Sequence, residues 1–210
     1  LSSLMTGKNV NFEKIYTEGI TKITTEDFAY AKKMDSSIKL LASSKRVGES
    51  FCGMVAPFML SKEHPLCGVN DVFNAVFVRG NMLGDAMFYG SGAGKLPTAS
   101  AVVADVVDMA KHTHVNVPTI WSSEEIELVD YKESSNRFFV RTTSDKAAIE
   151  AAFGGVATDD AHGVMEGSCR IVEYIEGVVP GEIGFTTSVM TEAEFEDAAA
   201  KIELEGRIRL

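Results

Sequence analysis

The stretch Tyr89-Gly-Ser-Gly-Ala-Gly-Lys-Leu-Pro-Thr-Ala-Ser-Ala-Val-Val-Ala-Asp105 sets three glycines and Lys95 ahead of a helical apolar pattern. Residues of these types can bring backbone N–H groups close to a phosphate. A P-loop needs G-x-x-x-x-G-K-[ST], whose hydroxyl binds Mg²⁺. Here Tyr89 stands where its first glycine should be, and Leu96 follows the lysine. The dinucleotide fingerprint G-x-G-x-x-G also fails, because its last glycine would fall on Lys95 or Pro97. A phosphate-binding hydrolase is disfavoured by that spacing. Two readings stay open: a helix N-terminus that favours an anionic ligand, and a plain strand-to-helix turn.

Other reactive side chains lack partners at useful spacing. His112-Thr-His114 has no carboxylate or thiol placed to complete a zinc site, so it reads as the cationic end of a helix. Ser61-Lys-Glu-His64 precedes a proline and reads as a solvated loop. Cys52, Cys67 and Cys169 show no C-x-x-C spacing and read as small core residues or inert thiols of a reduced compartment. Met54, Met59, Met82 and Met87 read as core filler. The residues themselves assign no catalytic or metal-binding group within the chain.

The elements that would carry these residues are legible from punctuation and period. Leu1 to Thr6 reads as a helix end stopped at Gly7, and suggests a fragment whose beginning is missing. Asn11 opens a capped turn, and Thr24 opens a helix with Asp27 in a loose capping box. SIKLLASSKRV and FCGMVAPFMLS flank Gly48-Glu-Ser50 as a hairpin; FNAVFVRG and GDAMFYG flank Asn81-Met-Leu-Gly84 as a second. Apolar residues at 99, 102, 103, 106, 107 and 110 predict a helix from Pro97 to His112. Residues 114–136 lose periodicity and read as a linker with one short strand. From Arg137 the order is strand, helix, strand, strand, helix, strand, the ferredoxin-like β-α-β-β-α-β arrangement.

Composition narrows the function classes. The 210 residues are 45% hydrophobic and 24% charged, the balance of a globular protein. A net charge of −10, without basic runs, argues against nucleic-acid binding. No apolar run approaches the ~20 residues of a membrane span, and the default placement is cytoplasmic.

Several segments together resemble the second half of homoserine dehydrogenase: IYTEGITKITTEDFAYAKKM, IKLLASSKR, HPLCGVNDVFNAVFVRGN and above all MFYGSGAGKLPTASAVVADVVDMA. The likeness runs over about the first 112 residues. It implies an NAD(P)-dependent oxidoreductase that interconverts L-homoserine and L-aspartate 4-semialdehyde in threonine, methionine and isoleucine biosynthesis. It also implies that the Rossmann domain and the catalytic Asp and Lys lie upstream of Leu1, so this chain alone should be inactive. Aligning the glycine turn with the family places the cofactor-touching glycine at Gly94, beside Gly92 and Ala93. The last residues resemble an ACT module, a threonine-sensing or dimerising domain. Its ligand loop would fall at Ser144, Asp145 and Lys146, where this chain has Ser-Asp-Lys-Ala-Ala instead of a D-x-P-G-like turn.

The resemblance therefore implies an α+β fold. A mixed sheet with helices on one face (1–113, the substrate and dimerisation portion) is joined by a linker (114–136) to a ferredoxin-like ACT-type domain (137–210). It also implies a homodimer with NADP or NAD as cofactor in the full-length enzyme. The alternative is a stand-alone ACT-type amino-acid-binding or dimerising regulator.

Overall fold

Glycines and polar caps delimit the elements of the computed structural model, which describes residues 1–116, 118, 120–156 and 170–210. Helix α1 (Ser2–Thr6) stops at Gly7, φ 72°. A 3₁₀ turn over Phe12–Lys14, capped by the Asn11 side chain, leads to strand β1 (Tyr16–Thr17). Helix α2 (Thr25–Lys33) begins where the Asp27 carboxylate accepts the Thr24 N–H at 2.8 Å. Strands β2 (Ser36–Val47) and β3 (Ser50–Ser61) form the first hairpin, closing with Val47 opposite Ser50. Strands β4 (Phe73–Gly80) and β5 (Gly84–Ser91) form the second, and helix α3 (Lys95–Lys111) follows. Then come β6 (Ser135–Asn136), β7 (Phe138–Thr142), α4 (Lys146–Phe153), β8 (Ile171–Ile175), β9 (Ile183–Thr187), β10 (Met190–Thr191), α5 (Glu192–Ala199) and β11 (Leu204–Arg209).

These elements fall into two compact units, residues 1–61 with 121–210, and residues 62–120. In the first, β8, β9, β7 and β11 lie side by side, each antiparallel to its neighbour, with α4 after β7 and α5 before β11. That is the strand order of the split β-α-β arrangement expected from residue 137 onward. The sheet does not stop there. Arg209 of β11 pairs with Phe58 of β3, so β3, its hairpin partner β2 and the short β1 extend the same sheet to seven strands. Residues 122–129, within the segment read as a linker, lie along Gly7–Asn9 and Phe51 through backbone hydrogen bonds such as Ser122 N to Gly7 O, 2.9 Å, and Val129 N to Phe51 O, 2.9 Å.

The joined seven-stranded sheet carries helices on both faces, α4 and α5 on one and α2 on the other, where the one-face expectation for residues 1–113 treated their sheet as separate. Every residue of β7, Phe-Phe-Val-Arg-Thr, is buried, and a strand apolar at consecutive positions must be covered on both sides. Phe138 and Val140 join Ile149 and Phe153 of α4 and Phe195 of α5 in one core. Phe139 and Ile208 join Tyr30 and Ala31 of α2 in another, on the opposite face. The N-terminal helix thus completes the core of the C-terminal strands.

Helix α5 opens with a capping box that sequence analysis did not single out. Thr191 Oγ1 accepts the Glu194 N–H at 3.2 Å, and the Glu194 carboxylate accepts the Thr191 N–H at 2.8 Å. Arg170, 2.8 Å from the same carboxylate, together with the Thr191 N–H, holds its pKa down to about 2 from the ordinary 4.5. Because the folded-state pKa is lower, this contribution is complete above pH 4.5 and is lost as the pH falls toward 2. Thermal unfolding should show that Glu194→Gln is destabilised at neutral pH, the difference from wild type shrinking across that window; a difference that does not change with pH would contradict this role.

The second unit buries little. Its hairpin is largely exposed and so is every residue of α3, where Val102, Val103 and Val106 are 58%, 58% and 59% exposed. Met82 and Met87 belong to this surface, 93% and 38% exposed, rather than to a core, while Met54 and Met59 are buried. The difference is one of place: Met82 sits in the turn of an uncovered hairpin. Cys52 and Cys67 are buried, and Cys169 lies outside the described residues. Among the described residues no helix is long and apolar enough to cross a membrane.

Candidate functional site

The glycine turn joins β5 to α3 within the second unit. Pairing of β4 with β5 runs from Gly80 opposite Gly84 to Phe73 opposite Ser91. Beyond it the chain folds back, Gly92 donating its N–H to Val72 O at 2.8 Å. Stacked rings of Phe73 and Tyr89, centroids 4.8 Å apart, brace the strand ends beneath. Gly94 then takes φ 122°, ψ 148°, a conformation essentially confined to glycine, and serves as N-cap of α3. No side chain caps this helix and no acidic residue lies in its first turn. The helix starts at Lys95, two residues earlier than its apolar pattern predicts, and Pro97 still falls in the first turn, where a missing N–H costs nothing.

Gly92, Ala93 and Gly94 are thus adjacent on an exposed turn at the positive end of a 17-residue helix. The arrangement can present bare backbone to an anionic or dipolar group. Lys95 is an exposed first-turn residue. Near the other end of the helix, the His112 ring lies 3.3 Å from the Asp108 carboxylate. His64, read as part of a solvated loop, is half-buried: its Nδ1 accepts the Leu66 N–H at 3.2 Å and its ring meets the edge of Phe77. Its lone pair is used by a turn, which is a structural task. Among the described residues no group of three or more His, Cys, Asp or Glu is placed to hold a metal.

Ser144 and Asp145 lie in the first unit between β7 and α4, and Lys146 is the first residue of α4. Asp145 caps α4, accepting the Ala148 N–H at 2.8 Å. Ser144 accepts the Glu203 N–H at 2.9 Å and donates its own N–H to Thr142 Oγ1 at 3.0 Å. Lys146 pairs with Glu176 at 3.0 Å and covers the Tyr174 ring. Where a D-x-P-G turn would leave backbone groups open, this segment runs directly into the helix with its polar side chains engaged.

The buried charges were not read from the sequence. On the α2 face Arg141 of β7 meets Asp27 at 2.7 Å, Glu182 at 3.0 Å and Thr24 Oγ1 at 3.1 Å. On the α5 face Arg209 of β11, 1% exposed, meets both oxygens of Glu192 at 2.6 and 2.8 Å and Glu18 at 2.9 Å. Asn136 completes Glu192 at 2.8 Å, and Arg207 reaches Glu18 at 3.1 Å. Burial disfavours the Arg209 charge, but the hydrogen bonds to Glu192 and Glu18 outweigh it and raise the guanidinium pKa. Burial likewise pushes the Glu18 carboxyl up, and the two arginines bring it below the usual range. The local signal was arginine among apolar strand residues, one in FFVRT and two in GRIRL.

Comparison with known proteins gives a consistent result. A family model described as homoserine dehydrogenase matches residues 1–107. The homoserine dehydrogenase of Bacillus subtilis is 39% identical over 117 residues, 56% of this chain and 27% of that protein. The one of Helicobacter pylori is 40% identical over 150 residues, 71% of this chain and 36% of that protein. Among solved structures, a homoserine dehydrogenase from Thiobacillus denitrificans aligns with TM-score 0.78 and 28% identity, covering 100% of this chain and 50% of that one. The Staphylococcus aureus homoserine dehydrogenase, TM-score 0.69 and 23% identity, shares the fold over 99% of this chain and 50% of its own. The chain spans about half the length of the solved structures it matches, and its alignments with these two curated relatives cover 27% and 36% of their length.

Proposed function

This chain belongs to the homoserine dehydrogenase family, and on that premise we propose that it forms part of an NAD(P)-dependent enzyme interconverting L-homoserine and L-aspartate 4-semialdehyde. Residues 1–113 are the substrate and dimerisation portion, and residues 137–210 an ACT-type regulatory module. The carrying observation is the glycine turn, which lies inside the matched residues 1–107 and offers exposed, uncapped backbone at the positive end of α3.

That turn fits a nicotinamide dinucleotide: a Cβ is absent where close approach is needed, and the helix end favours the pyrophosphate charge. Gly94 would touch the cofactor, with Gly92 and Ala93 shaping the approach; the nicotinamide, when bound, supplies the hydride chemistry. Whether NADP or NAD is preferred depends on residues that read the 2′ position. None of the 18 glycines completes G-x-G-x-x-G, and the chain covers half of the matched solved enzymes. On this reading the greater part of the nucleotide site and the proton relay belong to residues outside these 210. The exposed valine stripe of α3 is the surface that such a segment would cover. Within the module, Ser144, Asp145 and Lys146 are the segment assigned to an amino-acid effector, threonine, and the enzyme is taken as a cytoplasmic homodimer.

The test is an assay of NADPH oxidation with aspartate 4-semialdehyde, run on the chain alone and on a fusion behind the N-terminal half of the Thiobacillus denitrificans enzyme. Background rate from the chain and turnover from the fusion are expected, with threonine lowering the fusion's rate. Turnover by the chain alone, or a folded fusion without any, sinks the reading; turnover indifferent to threonine removes the effector and keeps the dehydrogenase.

A further inference from the structure

We infer that Asn74 is the positioning residue of the Gly90–Gly94 turn: its carboxamide occupies the side-chain space of Gly92 and sets the path on which Gly94 is presented. The inference rests on the reading of that turn as cofactor-facing and deepens it.

The glycines of the turn are not equivalent. A Cβ added to Gly90 would meet nothing within 4 Å. One added to Gly92 would overlap Asn74 Nδ2 and come 2.5 Å from its Cγ and 3.0 Å from its Oδ1. Gly92 does not lie among the positive-φ glycines, so its backbone would accept an L-residue. The three atoms nearest to such a side chain all belong to Asn74. At Gly94 the reverse holds, φ +122° excluding a side chain, with Pro97 Cδ at 3.3 Å as a lesser obstacle.

Register explains the encounter. Asn74 pairs with Gly90, and the turn curls back two residues later so that Gly92 donates to Val72 O at 2.8 Å. The carboxamide of the exposed Asn74 then lies against the returning turn, where a Gly92 side chain would be. Gly92 thus meets β4 twice, through its N–H on Val72 O and through the Asn74 amide in its side-chain space. Gly94 is two residues further on, so the exit direction of the turn is set from β4. A glycine at 92 is thereby explained by packing, and the sequence pair Asn74 and Gly92 by mutual fit.

Hydrogen exchange on the 210-residue chain, without cofactor, tests the anchoring: Asn74→Ala should speed exchange of the Gly92–Gly94 amides on the order of tenfold. The fused enzyme tests the consequence. Asn74→Ala should raise the KM for NADPH about tenfold and leave the KM for aspartate 4-semialdehyde unchanged, while Gly92→Ala raises it on the order of 100-fold. Because the Gly92→Ala collision is with Asn74, the double variant should resemble Asn74→Ala instead of multiplying the two effects. Independent, multiplying effects, or unchanged exchange, would overturn the role of Asn74 while leaving the functional reading in place. Faster exchange with unaltered cofactor KM, in Asn74→Ala and in Gly94 variants alike, would overturn the cofactor role of the turn and keep its anchoring.

Discussion

Gly94→Val in the fused enzyme is expected to weaken NADPH binding by on the order of 100-fold, the penalty that a displacement of about 1 Å can impose on a positioned group. At φ 122°, ψ 148°, an L-residue is strained by ~1–3 kcal/mol. The strain is relieved only by moving the turn, which moves the backbone meant to touch the cofactor. Melting temperature should fall modestly because α3 can start a residue later. Lys95→Ala is the control, since a first-turn surface lysine neither closes a P-loop nor strains the turn. Fluorescence titration with NADPH reads both. Wild-type affinity in Gly94→Val would remove the turn from the cofactor site, and loss of affinity confined to Lys95→Ala would revive a phosphate cradle.

The second large effect concerns stability. Arg209→Met should cost about 3–5 kcal/mol, because it takes the buried guanidinium from Glu192, at 1% side-chain exposure, and from Glu18, at 17%, leaving them only Arg207 at 3.9 and 3.1 Å. The ion cluster itself need not be net stabilising against an apolar replacement of matched volume. Arg209→Met with Glu192→Leu should therefore recover much of the loss, leaving Glu18 to Arg207. Urea denaturation measures the set. A loss below ~1 kcal/mol for the single variant, or a double variant that is worse, would show that the cluster does not carry buried charge as described.

Local chemistry made much of the fold legible. Gly48-Glu49 and Asn81 to Gly84 interrupt strand-forming runs and gave both hairpins in the right place. Asn11, Thr24 and Gly7 marked helix ends because each satisfies or tolerates backbone that has no helical partner. The strand order from β7 to β11 followed from element order and the handedness of crossovers. What stayed hidden depends on partners distant in sequence. Nothing local tells Arg209 that it will pair with Phe58, or Arg141 that Asp27 will meet it. An arginine alternating with isoleucine in RIRL reads as a strand with one wet face, yet here both faces are covered. The compact units likewise cut the chain at 61 and 121, where packing divides it, whereas the divisions at 113 and 137 follow motifs. At the candidate site, spacing excluded two phosphate fingerprints and family likeness pointed to Gly94, but the fit between Asn74 and Gly92 is visible only once the turn has folded back.

Strand β11 lies between β3 and β7, in the interior of the sheet, although it follows both in sequence. During synthesis β3 and β7 can each adopt local structure, but neither has its shared neighbour until residue 209 has left the ribosome. Until then both cores are unsealed, with Ile208 absent from one and the Glu192 carboxylate unpaired by Arg209 beside the other. Until β11 is added, a nascent chain of this kind is open to capture by chaperones. A chain cut before Leu204 should be protease-sensitive where one that includes β11 is resistant, so that docking of this one strand, more than closure of either hairpin, acts as the folding signal.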